Sequence, residues 1–402
     1  MTLATGIAKK VAYKVESTYG TAAGASGAAY LRRVESTIGL TKDIYESNEI
    51  RTDYQVAVQR QGVRRVSGQI KGELSAGSYA DFIAASLRKA FAAVTPITAL
   101  SVTIAGTGPT YTITRSTGWI TDGIKVGDVI RLSVGTLNAA NISKNLLVIG
   151  LTATVATVIP LNAVALVAEG PIAGCTVTVI GKKTFTPTIG HTDLSFSIEH
   201  WHSDISQSEL FTGCKIGSID INLPPTGMAT IDIAVTGQDE TDGTSQYFTT
   251  PTALSSTAVM AAVNGVAIIN GTQSVLLTGL QLKIDGNLSG DPVVGSNTIP
   301  QQFVGRAKVS GQGSAYFQDA TIRNFFNNET EIGLIGVFTS DNTAIADFIT
   351  FSMPRVKVNA FTKTDGEKGV IGTFTFAALF NSAGGAAANS EQTTLVIQDS
   401  AA

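Results

Sequence analysis

Glu49–Phe91 reads EIRTDYQVAVQRQGVRRVSGQIKGELSAGSYADFIAASLRKAF, and the stretch changes character twice. Tyr54, Val56 and Val58 alternate with polar neighbours. After Gly62 the alternation resumes through Val66, Ile70 and Leu74, as in strands with one wet face. From Ser78 the period becomes helical. Tyr79, Phe82, Ile83 and Leu87 fall on one face, with Arg88 and Lys89 at the carboxyl end, where the helix dipole favours cations. The unit is an extended arm, two strands and an amphipathic helix.

The unit recurs. VSGQ at Val66–Gln69 precedes Tyr79, Asp81 and Phe82, and VSGQ at Val309–Gln312 precedes Tyr316, Phe317, Asp319, Ile322, Phe325 and Phe326. VTGQ at Val235–Gln238 is a third copy of the core. This order suggests an internal duplication, against the plainer reading that Val, Ser and Gly are common in β-rich chains.

Composition bounds the rest. At 402 residues the chain exceeds the size at which one core keeps growing, so two or more domains are expected. Forty-one glycines, 15% charged residues and abundant Thr, Val and Ile point to β structure with many turns. A net charge of −3 argues against general affinity for nucleic acid, which needs a basic surface. Cys175 and Cys214 form neither a disulfide framework nor a metal cluster and are expected to be reduced. The amino end lacks an apolar signal-type segment, so no secretion by a cleaved signal is expected.

Taken in order, residues before Lys14 read as an exposed arm, Tyr30–Leu40 as a strand with Arg32 and Arg33 exposed, and Thr41–Gly62 as a long polar loop used for contact. After Pro96 the texture changes to Thr, Val, Ile, Ala and Gly, and charge returns at Lys182 and Lys183. Asn145–Ala168 carries no charge and is long enough to mimic a membrane span. Pro160, Asn162 and the recurring Thr152, Thr154 and Thr157 favour short buried strands of a small barrel instead. The domains expected are therefore residues 1–96 (first part of the main domain), 97–183 (an inserted small β domain) and 184–402 (second part, with a C-terminal arm or edge strand). Within the last, Lys215–Leu223 and Met228–Val235 flank Pro224-Pro225-Thr226-Gly227 as a hairpin.

Sites for chemistry are absent from this pattern. His200-Trp201-His202 could place two imidazoles on one strand face, but no carboxylate or Cys set completes a metal site, and an exposed strand is expected. Asp285, Asn287, Ser289 and Asp291 imitate the start of a calcium loop, yet Ser296 stands where a bidentate Glu belongs, so a turn is expected. Asp239, Glu240 and Asp242 read as a solvated acidic loop or, less simply, a lumen or interface patch. No nucleophile elbow or phosphate-cradling loop is present, so the chain is read as a non-enzyme with no cofactor and no metal.

The order of features resembles the major tail tube proteins of long-tailed, siphovirus-like bacteriophages. The likeness rests on ESTYGT (Glu16–Thr21), the long polar loop, VSGQ running into YADFIAASL (Tyr79–Leu87), GCKIGSIDINLPPTGMATIDIAVTGQD (Gly213–Asp239) and the closing FTFAALFN (Phe374–Asn381). The insert, with GIKVGDVIRL (Gly123–Leu132) and ATVATVIPL (Ala153–Leu161), is similar to small β modules of tail proteins. The resemblance implies a mainly β, sandwich or barrel fold with a flanking helix. It also implies homo-hexameric rings stacked into a virion tail tube, with DNA passing through as transient non-specific cargo.

Implied partners are further copies of the chain, the tape measure protein, and tail terminator and tail tip proteins; no membrane is implied, and synthesis belongs in the host bacterial cytoplasm. The expected subunit contact is the Tyr45–Arg64 region, with Tyr45, Glu46, Asn48, Glu49, Arg51, Tyr54, Arg60 and Arg64 as its residues, and the insert is expected to face outward. Another virion structural protein or a carbohydrate-binding adhesin is the alternative. Trp119 and Trp201, the only tryptophans, make a thin aromatic platform for the adhesin.

Overall fold

The computed structural model describes residues 3–116, 118–274, 276–365 and 367–402. The first segment forms β1 (Lys9–Val15), β2 (Ala29–Tyr30), β3 (Glu35–Ser36), β4 (Gly39–Glu46), β5 (Gln59–Glu73) and α1 (Ala80–Leu87). Next come β6 (Ile97–Ala105), β7 (Tyr111–Thr114), β8 (Val129–Ser133), β9 (Leu146–Leu151), β10 (Val155–Pro160) and β11 (Glu169–Val179). Then follow β12 (Lys182–Phe185), β13 (Phe196–His202), β14 (Gln207–Leu223), β15 (Thr230–Gly237), β16 (Asp239–Gly243), β17 (Val266–Ile269), β18 (Thr272–Ser274) and β19 (Leu277–Asp285). The chain ends with β20 (Leu288–Ser289), β21 (Phe303–Val304), β22 (Lys308–Tyr316), α2 (Thr321–Asn327), β23 (Glu331–Thr339), β24 (Phe348–Lys363), β25 (Ile371–Ala378) and β26 (Val396–Asp399).

The fold is mainly β, as the alternation predicts. Eighteen strands join in one hydrogen-bonded network, and β14 is its spine. The first half of β14 pairs with β13 and β16, the second half with β15 and β19, so one strand belongs to two sheets. The expected hairpin is present, with Lys215 opposite Thr236 and Asn222 opposite Thr230. Strand side chains alternate between faces, so Val66, Ile70, Ile219, Ile221, Ile231 and Ile233 line one buried core.

The helix α1 caps that core as its apolar spacing requires. Phe82, Ile83 and Leu87 are buried, each contributing about 1.5–3 kcal/mol of hydrophobic stabilisation. The Phe82 ring stands 4.7 Å from Tyr13 and 5.0 Å from Phe196. Arg88 ends the helix in the left-handed conformation, its amide bonding back to Ala84 and Ala85.

The repeated tetrapeptides occupy equivalent local settings. Val66–Gln69 pairs antiparallel with the VTGQ strand, with Val235 opposite Gly68 and Gly237 opposite Val66. A Cβ on Gly68 would lie 2.5 Å from the backbone of Ile38, and one on Gly311 would meet the Phe376 ring and the Gln281 carbonyl. Both glycines admit a close neighbour. The helices following the two VSGQ strands differ, however, because α2 buries none of its residues. The order of strand and helix is thus alike after both tetrapeptides, while α1 is buried and α2 rests on the core with Ile322 and Phe325 only half-buried.

Residues 97–179 contain the six strands of a closed antiparallel barrel, in the order β10-β7-β6-β11-β8-β9. The uncharged run resolves into β9 and β10, joined by a tight turn in which the Thr152 amide donates to Val155. Trp119 is sealed among Ile113, Ile130 and Val148 in the barrel's own core. A second apolar cluster, Val129, Leu147, Ile159 and Leu161 against Ile268, Ile335, Val337 and Phe348, seats the barrel on the main sheets. Among the described residues, no helix is long and apolar enough to cross a membrane.

Several expectations are corrected. Tyr30–Leu40 is not a strand; only short pairings occur there, and Arg32 and Arg33 are half-buried, donating to the Thr257 and Lys9 carbonyls. Thr41–Gly62 is not a loop but most of a long hairpin, with Thr41–Glu46 in β4 and Gln59–Gly62 in β5. Tyr54, Val56 and Val58 lie in its tip rather than in a strand. The last strand, β26, is neither an arm nor an edge: it sits between β12 and β24, with Ile397, and Leu395 just before it, fully buried.

Candidate assembly surfaces

The β4–β5 hairpin carries most of the residues expected to make subunit contacts. Tyr45 faces Arg60 and Glu46 faces Gln59 in the ladder, and the Ser47 amide donates to Val58 as the strands part. Asn48, Glu49, Arg51 and Tyr54 all lie in the exposed tip. There Arg51 forks onto Asp53 at 2.7–3.2 Å, and Tyr54 adopts a positive φ of 58°. A left-handed backbone is uncommon in a bulky residue, and here it belongs to the turn in which the Tyr54 amide donates to the Arg51 carbonyl.

Arg64 stands apart from this group. It lies at the hairpin's root, 2.8 Å from Asp239 and 3.1 Å from the Glu240 carbonyl. The acidic cluster is accordingly not a solvated loop: Asp239–Gly243 is strand β16, paired with β14. Burial and the neighbouring Asp242 push the Glu240 carboxyl up.

The alternation of Tyr54, Val56 and Val58 predicts a strand with one buried face, whereas in the structure these side chains are exposed. Ile44, Ile50, Val56 and Val58 are exposed beside Tyr45 and Tyr54, with Ile50 and Tyr54 almost wholly in solvent. Exposed apolar side chains gathered on one hairpin make it a candidate contact surface. Periodicity finds apolar positions but does not tell whether the face they form is covered.

A second unclosed apolar surface lies at α2. Ile269, Leu276, Tyr316, Phe317, Ile322, Phe325 and Phe361 line a groove between that helix and β17–β18. Ile322 and Phe325 are only half-buried, and Phe326 and Tyr316 are exposed. The spacing of Ile322, Phe325 and Phe326 signals an apolar helix face, but a sequence does not say that Ile322 and Phe325 meet the core while Phe326 stays exposed.

The remaining polar candidates have structural settings. His200 is fully buried rather than on an exposed strand, because β13 runs between β1 and β14. Its Nε2 is 2.8 Å from Ser36 Oγ and its Nδ1 is 3.4 Å from Glu209, which His202 also approaches at 3.8 Å. Burial drives the His200 imidazole down to about 4. Asp285 accepts the Asn287 amide at 2.9 Å in the turn expected there. Cys175 and Cys214 are free thiols, buried in the barrel and the main core.

Among the described residues, the hairpin tip and the α2 groove are exposed apolar features of the chain's surface. No curated protein matches this chain. The family profile described as phage tail tube protein matches residues 6–378, nearly the whole length, and the chain belongs to that family of structural virion tail proteins.

Proposed function

We propose that copies of this chain close into hexameric rings that stack into the tube of a siphovirus-like tail, through which DNA leaves the virion. The observation that carries the reading is the β4–β5 hairpin, whose apolar tip has no partner within the described residues of its own chain. Tyr45, Glu46, Asn48, Glu49, Arg51, Tyr54 and Arg60 form its contact with the neighbouring copy or ring, and Arg64 fixes its root. Heterologous contacts that close by rotation give rings, and the open faces of a ring repeat along an axis. Each such interface buries on the order of 1,200–2,000 Å² or more.

The barrel faces outward, leaving the bore open. A net charge of −3 suits a conduit, since a wall that is not basic lets phosphate pass without adhering. The tape measure, terminator and tip proteins are the further partners, and the chain is made in the host cytoplasm before assembly. Electron microscopy of the purified protein at rising concentration tests the reading. Hollow striated tubes with six outward projections per ring support it, whereas compact oligomers that stay closed in the presence of tail particles count against it.

A further inference from the structure

Where the barrel meets the main sheets, one lysine is enclosed by two carboxylates from distant parts of the chain. Asp128 precedes β8, Lys183 lies on β12, and Glu391 lies in the segment before β26. Asp128 and Lys183 are almost completely buried. Lys183 Nζ stands 3.3 Å from both Asp128 oxygens and 3.1 Å from Glu391 Oε1. The Lys125 amide donates to Asp128 Oδ2 at 2.9 Å.

We propose that this cluster forms an intramolecular amide between Lys183 Nζ and Asp128 Cγ, stapling the barrel to the tube body covalently. An amine held out of water at the same distance from both oxygens of one carboxyl group faces the carbon between them, and such fixed positioning lowers the barrier to attack. Glu391 accepts a proton from the Lys183 ammonium, and the freed lone pair attacks Cγ, forming the C–N bond. Negative charge developing on Oδ2 is met by the Lys125 N–H, a fixed donor of the oxyanion-hole type. The two protons that nitrogen loses pass through Glu391 to Oδ1, the Cγ–Oδ1 bond breaks, and one water leaves. Ammonium and carboxylate become amide and water, and Glu391 is restored.

The electrostatics fit these roles. Burial pushes the Asp128 carboxyl up, so its oxygen takes up protons readily and leaves as water once the two from nitrogen have reached it. Burial pulls the Lys183 amine down, but Asp128 and Glu391 together hold it above its ordinary value. The amine therefore starts as an ammonium, and a base in contact with it is required. Glu391 is that base, and without it the site is an ion pair.

Intact mass of the folded, purified chain, measured after denaturation, tests the proposal directly. The expected mass is one water below that of the sequence, with a branched tryptic peptide joining Asp128 to Lys183 and no cleavage after Lys183. Glu391→Gln is expected to fold with an unchanged circular dichroism spectrum and to form the link on the order of a hundredfold more slowly. Lys183→Arg is expected to keep its full mass. Wild-type protein that stays at full mass after prolonged incubation, or a water loss that maps elsewhere, overturns the proposal. So does a link that forms equally fast in Glu391→Gln.

Discussion

The Tyr45 ring lies directly over Gly62 on the paired strand, where a Cβ would collide with its edge and hydroxyl. Gly62 has an ordinary strand backbone, so alanine fits the chain and displaces only the half-exposed ring. Gly62→Ala is therefore expected to change unfolding free energy by no more than about 0.5 kcal/mol. Its effect falls on assembly: melting temperature stays near wild type while tube yield, counted by electron microscopy, drops sharply.

The VSGQ glycines are constrained differently, since the atoms above them cannot swing away. At Gly68 the obstacle is the backbone of Ile38, and at Gly311 it is the Phe376 ring and a carbonyl within the sheet. Gly68→Ala and Gly311→Ala are each expected to lower stability by about 1–3 kcal/mol in urea unfolding, as overpacking does.

Lys125 holds the segment that presents Glu391. Its ammonium donates to the carbonyls of Gly385, Ala386 and Ala388 at 2.8, 3.1 and 2.6 Å. Lys125→Met leaves these acceptors without their charged donor and is expected to cost about 2–4 kcal/mol. Limited proteolysis would then cut within residues 382–392 before the rest of the chain.

His200 makes stability depend on pH. With its folded value lowered to about 4, the unfolded chain binds the extra proton first as pH falls. Its contribution is fully present above the unfolded value near 6.5 and is lost as pH falls from there towards 4, about 2 kcal/mol between pH 7 and pH 5. Asp399 opposes it: burial raises its carboxyl to about 6, so the folded chain gains stability as pH falls from about 6 towards 3.8. His200→Gln removes the first effect. Urea titrations at pH 7 and pH 5 are expected to show the variant gaining about 2 kcal/mol on wild type at the lower pH.

These relationships were unequally legible in the sequence. Alternation disclosed the strands that bury one face, such as Val66–Leu74 and the Lys215–Val235 hairpin, and helical spacing disclosed α1 because Phe82, Ile83 and Leu87 meet a core. The outer part of β4–β5 has no buried side, so both faces are polar or mixed, and its strands read as a loop. Asp239, Glu240 and Asp242 look solvated in the sequence, yet the ladder of Asp239–Gly243 to β14 is made by the backbone, which composition does not report. The burial of His200 is not legible because nothing in the sequence tells which strands flank β13. Of the contact residues, those from Tyr45 to Arg60 do lie together on the hairpin, whereas Arg64 is tied inward to Asp239 by a pairing remote in sequence.

Because β14 belongs to both sheets, the two layers of the main body share a continuous covalent backbone. Sliding one layer across the other requires the ladders on both flanks of that strand to break together. Mechanical load entering one sheet passes to the other along peptide bonds rather than across an apolar seam. A wall built from such units is stiffest inside each chain, so a tube pulled or bent to failure should part between neighbouring copies and release them intact.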